Sequence, residues 1–216
     1  MLLRSVVSAA VVGTVIASAA VLHTTAPLSA NPPAVGAPAA MVTFNVDPAH
    51  TMIMFKVRHL GISTVTGRFA KFSGTFQLDP ASGQVGAAAL NIESASITTD
   101  NERRDADLRS SNFFSVDSFP QVTFTSSRVT KVSGNKYKVE GNLTMRGVTK
   151  PVTLDAELAG ARETTRGWLA AVNMTGTIKR KEFGLVWDRL AEGIAVVSDD
   201  VVLQLEVEAK SAPPAP

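Results

Sequence analysis

Apolar residues recur at every second position through most of this chain, and that period of two constrains its fold more than any other feature. Successive side chains of a strand point to opposite faces, so the pattern predicts strands with one face buried and the other in water. One parity collects Val42, Phe44 and Val46; then Ile53, Phe55 and Val57; then Phe72, Phe76 and Leu78; then Ala88, Leu90 and Ile92. It continues through Val122 and Phe124; Tyr137, Val139, Leu143 and Met145; Val152, Leu154, Ala156 and Leu158. Trp168, Ala170, Val172, Met174 and Ile178 follow, and Val201, Leu203, Leu205 and Val207 close the series. The opposite parity is mostly polar, as in Lys138, Glu140, Asn142, Thr144 and Arg146. Turn signals lie between the segments: Asp79-Pro80-Ala81-Ser82-Gly83, Ser133-Gly134-Asn135, Gly147 and Gly160.

About eight or nine consecutive antiparallel strands with a single apolar face must either stack as two sheets or close into a barrel. Tyr137 to Met145 and Trp168 to Ile178 each alternate for nine residues or more, against a common strand length of about five or six. Such long strands favour an all-β, lipocalin-like antiparallel β-barrel of about eight strands, with an interior able to hold a ligand.

One segment breaks the alternation. Thr99 as N-cap with Glu102 three residues on reads as a capping box, opening a short helix that carries Asp105 and Arg109 at i,i+4 and turns Leu108 to the core. It ends at Ser110-Ser111-Asn112, which delivers Phe113 and Phe114 towards the barrel. A second short helix is expected at Leu60 to Thr64.

The chain ends differ from this body. Residues 1–30 hold one charge, Arg4, followed by an uncharged apolar run from Ser5 to Leu22. That is a secretory signal peptide or, since eighteen helical residues span roughly 27 Å, an uncleaved N-terminal anchor. Ala17 and Ala19 provide one cleavage site, and Ala30 ends another. Residues 31–41 form a Pro/Ala-rich linker, 42–210 the barrel and 211–216 a flexible tail. The protein is thus expected to be exported, to the periplasm or the extracellular space, and tethered to the membrane if the signal stays. With no cysteine among 216 residues, disulfide scaffolds, thiol enzymes, zinc ribbons and thioether lipid anchors are excluded. The 21 basic and 19 acidic residues leave a net charge of +2, a poor basis for nucleic acid binding.

Several ordered stretches resemble one family. DPAHTMIMFKVRHLGISTVTGRFAKFSGTF, RRDADLRSSNFFSVDSFPQVTFTS, GNLTMRGVTKPVTLDAEL, GTIKRKEFGL and VSDDVVLQLEVEAK are similar, in order and spacing, to the blocks of the YceI-like family, across roughly Thr43 to Lys210. The resemblance implies a lipocalin-like barrel around an elongated apolar tunnel that takes an isoprenoid chain, such as a quinone tail or a polyprenyl lipid. No cofactor is expected beyond that bound lipid. Transient membrane contact and a homodimer are compatible with it.

The inward parity supplies the lumen candidates: Phe55, Val57, Phe72, Phe76, Leu90, Phe124, Leu143, Met145, Leu154, Leu158, Val172, Met174, Ile178, Leu203 and Leu205. The same rows could instead fill a dry core, leaving an envelope stress or interaction module that works through its exterior. Head-group candidates are Arg58, His59, Arg103 and Arg109. For His59 the competing reading is a ring satisfied by a backbone carbonyl, and for Asp105 and Arg109 it is a tie between helix and strand ends. Lys179-Arg180-Lys181 reads as a solvated rim that could touch anionic lipid. His50, after Asp47-Pro48, reads as a turn cap, and the two histidines offer no metal-binding spacing. No nucleophile elbow or phosphate loop occurs, and Asp199 and Asp200 point to opposite faces of their strand, so no catalytic residue is assigned.

Overall fold

The computed structural model describes residues 40–191 and 193–212. The export segment, nearly all of the linker and the last four residues lie outside them. Among the described residues no helix is long and apolar enough to cross a membrane.

The alternating segments form one closed ring. β1 (Val42–Val46) and β2 (Met52–His59) are the halves of a first, bent strand, broken by a turn of 3-10 helix at Pro48–His50. β3 (Ser63–Phe69) and β4 (Phe72–Asp79) make the second, and β5 (Gln84–Glu93) with β6 (Ile97–Thr98) the third. β7 (Gln121–Ser133), β8 (Lys136–Met145), β9 (Val148–Thr164) and β10 (Gly167–Lys179) follow. A small hairpin, β11 (Leu190–Ala191) with β12 (Ile194–Ala195), precedes the last strand, β13 (Val197–Ser211). Each strand pairs antiparallel with its chain neighbour. β13 then closes the ring along the first strand, with Leu203 opposite Phe55 on β2 and Lys210 opposite Asn45 on β1. Pairing of β1 with β13 closes the lower half, while in the upper half β3 meets β6 only through Arg68 and Phe69, so residues 63–67 keep one unpaired edge. The last strand runs through Ser211, one residue beyond the expected boundary, and the Ser211 hydroxyl accepts from the Trp168 amide at 2.8 Å.

The connections sort by pole. One pole carries the turn at 60–62, the excursion at 99–120, the turn at 146–147 and the segment from 180 to 196. The opposite pole carries the turns near Gly83 and Gly134, together with Val42 and Ser211, the outer ends of the first and last strands.

Local chemistry sets these turns. Leu60 and Gly61 both have positive φ, 51° and 71°, so the chain reverses there and enters β3 at Ser63; the expected second helix is a turn. Arg146 and Gly147 repeat the device between β8 and β9. Helix α1 spans Glu102–Arg109, but its N-cap is Asn101, whose side chain accepts from the Arg104 amide at 3.0 Å. Asp100, at φ 58°, turns the chain between Thr99 and the helix, which frees the Thr99 hydroxyl to donate to Asp105 instead.

Candidate functional site

Inside the ring, apolar side chains surround two adjoining chambers. The lower one, towards the pole with the strand ends, holds 140 Å³ and the upper one 320 Å³. Phe55, Phe69, Leu143 and Leu203 border both, so they are halves of one interior. Of the lumen candidates, Phe76, Leu90, Phe124, Leu154, Leu158, Val172, Met174 and Leu205 line the lower half, and Val57, Met145 and Ile178 the upper. Phe72 lines neither and packs against the core.

Glycines on the inward parity help make this space. An ideal Cβ on Gly67 would lie 2.2 Å from the Phe55 ring, and one on Gly176 would lie 2.6 Å from Leu154. The large side chains lie flat over these positions instead of standing into the lumen.

The lower pole is plugged. Phe44 stacks on Phe76 with centroids 5.2 Å apart, and the buried Tyr137 donates its hydroxyl to the Gly83 carbonyl at 2.6 Å. Asp79 sets that turn by accepting from the Ala81 amide and the Ser82 hydroxyl, bonds that hold its carboxyl below the usual range. Asp47, His50 and Glu208 also meet at this pole, where Lys210 contacts both carboxylates. The His50 ring lies 2.8 Å from Asp47 and ties the turn before β2.

The upper pole is built from the two excursions. Phe113 and Phe114 enter the upper chamber behind α1, with Phe113 against Trp187 at 5.3 Å and Phe114 edge-on to Phe69. Asp105, 5% exposed, accepts from the hydroxyls of Thr98 and Thr99 and from the Thr99 amide. Burial opposes its ionisation, but those three donors, with Arg109 nearby, hold the carboxyl below its ordinary value.

Arg180 is a correction. Instead of a solvated rim residue it is 4% exposed, and it donates to the carbonyls of Leu185 and Trp187 at 2.5 and 2.7 Å, of Ser198 at 2.9 Å and of Val197 at 3.3 Å. Burial lowers its pKa, with Asp188 and Asp199 opposing the shift. It pins the segment 185–198 over the barrel mouth.

Among the head-group candidates, only His59 borders the upper chamber. Arg58 faces outward and donates to Thr64 and to the Gly61 carbonyl. Arg109 donates to the Ala95 and Ile97 carbonyls at 2.8 and 2.7 Å, which makes it the tie between helix and strand. Arg103 faces an outer hollow of 470 Å³ that it shares with Asn101, Arg104, Asp107, Asn112, Trp187 and Arg189. Arg104, Asp107 and Trp187 border both this hollow and the upper chamber, so the hollow adjoins the chamber at the mouth. Arg104 bonds Thr99 through Nε and Nη2.

An up-and-down barrel with a mainly apolar interior and a polar hollow at one end is lipocalin-like in architecture. The YceI-like domain family matches residues 44–209. The chain belongs to the YceI-like family. It is 39% identical over 171 residues to a UPF0312 protein of Pectobacterium atrosepticum, covering 79% of this chain and 86% of that one. The Protein YceI of Salmonella arizonae is 37% identical over the same shares. Among solved structures, the Campylobacter jejuni YCEI protein superposes with a TM-score of 0.64 at 34% identity, covering 72% of this chain and 90% of the other. A domain from Saccharophagus degradans described as polyisoprenoid binding shares the fold at TM-score 0.56 and 18% identity, over 79% of this chain and 99% of its own.

Proposed function

We propose that this protein binds an isoprenoid or other long-chain lipid, of the quinone or polyprenyl type, in the barrel interior, and carries, stores or sequesters it in the cell envelope. The observation that carries this reading is the interior itself: two adjoining chambers lined mainly by hydrocarbon, with a polar hollow next to them at one end. A chain of several isoprene units releases about 0.8 kcal/mol per buried CH₂, so affinity is not scarce; mouth width and head-group contacts set the choice of ligand. His59 and Arg104 stand where a quinone carbonyl or a phosphate would meet the protein. The described polyisoprenoid-binding domain with the same fold is consistent with such a ligand. A filled barrel acting only through its exterior fits the chambers less well. Binding without catalysis fits an interior lined mainly by hydrocarbon, in a scaffold whose buried charges, Asp79, Asp105 and Arg180, are bonded within it. Export to the periplasm or beyond rests on the sequence of residues 1–30.

Protein purified without detergent, extracted with organic solvent and analysed by mass spectrometry, is expected to yield a long-chain lipid. An empty extract combined with no uptake of added quinone would overturn the proposal. Leu143→Arg or Val172→Arg, which put a charge on the inner wall, should abolish uptake. Val172→Phe narrows the lower half without a charge, at a stability cost of about 1–3 kcal/mol, and should weaken it.

A further inference from the structure

Exposed apolar side chains gather at the mouth. Ile62 is 80% exposed, Leu190 70%, Val186 64% and Ile194 52%, among the described residues the four most exposed large hydrophobics apart from Val132. Leu190 and Ile194 belong to the β11–β12 hairpin, where Leu190 pairs with Ala195 and Ala191 with Ile194. Ile62 tips the neighbouring turn, which is tied to the hairpin base where the Leu60 amide donates to the Val196 carbonyl at 3.1 Å. The base itself closes through the Val196 amide on the Arg189 carbonyl. Leu185, Trp187, Val196 and Val197 line the upper chamber, while Val186 is exposed beside them and Leu190 and Ile194 are exposed on opposite faces of the hairpin.

Cations flank this rim. Arg58, Arg103, Arg104 and Arg189 are exposed around it. Of the nearby acids, Asp188 pairs with Lys181 at 2.6 Å, Asp107 accepts from Asn112, and Asp199 accepts from the Lys181 amide, while Glu102 and Glu182 are exposed and Glu192 lies between β11 and β12 in the sequence, so the arginines outweigh the acids only locally.

We infer that this rim is a membrane-docking surface: the β11–β12 hairpin and the Ile62 turn dip into the interface of an anionic phospholipid bilayer, with the arginines on its head groups and the barrel mouth against the lipid. The inference rests on the interior being a lipid site, because a poorly soluble chain must leave a bilayer at the opening through which it enters. Four side chains expose about a few hundred Å² at most, below the roughly 800 Å² per partner of a stable dimer. A second copy docked face to face would also set these arginines against each other. A bilayer needs only a few apolar residues and favourable charge.

The two tryptophans give a readout, since Trp187 lies at the mouth and Trp168 at the opposite pole. In the full chain, Trp168→Phe and Trp187→Phe leave one reporter each, and vesicles of phosphatidylcholine and phosphatidylglycerol with brominated acyl chains quench a tryptophan near the bilayer. Trp187 should be quenched and Trp168 spared. Leu190→Ser with Ile194→Ser should weaken the vesicle-dependent quenching roughly tenfold to a hundredfold. Arg189→Gln should weaken it about fivefold on anionic vesicles only. The double variant should still load solanesol added from dilute ethanol, but take it up slowly from vesicles. Equal quenching of the two tryptophans, or undiminished quenching in the double variant, would overturn the docking surface; so would wild-type dimers that the double variant abolishes while quenching persists. If no solanesol is loaded from either source, the lipid-binding reading fails, and the quenching pattern still decides whether this pole meets the bilayer.

Discussion

At the scale of single residues, the buried charges are structural and their removal should show in stability. Arg180 satisfies four backbone carbonyls of the segment that covers the mouth. Arg180→Met leaves them without donors, and urea unfolding should show a loss of about 3 kcal/mol or more. Asp105→Asn should cost about 1–3 kcal/mol at neutral pH. Its pH dependence has a definite sign: a carboxyl held below its unfolded value of about 3.9 contributes stability that is present above that pH and lost as pH falls through the folded pKa. The wild type should therefore lose stability on acidification below about pH 4, and Asp105→Asn should show a shallower acid limb in denaturant titrations at stepped pH. Part of this was legible. Arg180 continues the inward parity of Met174, Gly176 and Ile178, but the flanking lysines make the run look like a wet rim. Arg104 stood out only as one member of the charged run RRDADLR, because its place at the mouth depends on how an excursion between strands folds back.

At the scale of elements, alternation translated directly into strands because one face of each had to be buried. Capping was less legible: Thr99-Asp100-Asn101 offers three residues able to cap, and only the positive φ of Asp100 selects Asn101. The inward glycines were also silent, since a missing side chain reads as a gap in the apolar row. Their role predicts a coupling. Gly67→Ala would collide with the Phe55 ring and force it towards the chambers it borders. The variant should lose about 1–3 kcal/mol by thermal or chemical unfolding and retain shorter or less lipid, and adding Phe55→Leu should recover much of the stability.

At the scale of the whole molecule, eight strands close without cysteine, so stability rests on ring closure, the core and whatever occupies the chambers. A ligand present at a hundredfold excess over its Kd adds about 2.7 kcal/mol. For a domain of this size that raises Tm by roughly 5–11 °C. Protein stripped of lipid should melt lower by that order in calorimetry and recover when lipid is restored. The architecture was foreseeable because closure follows from strand number and length, whereas the polarity of the two poles depends on loops whose packing no periodic pattern encodes. Val42 and Ser211 both belong to the plugged pole, roughly 30 Å of barrel away from the mouth. The barrel is therefore built like a cup standing on its foot. A copy grafted through either end strand to a bead, an electrode or another domain would keep its opening clear, and could be filled and emptied without being released.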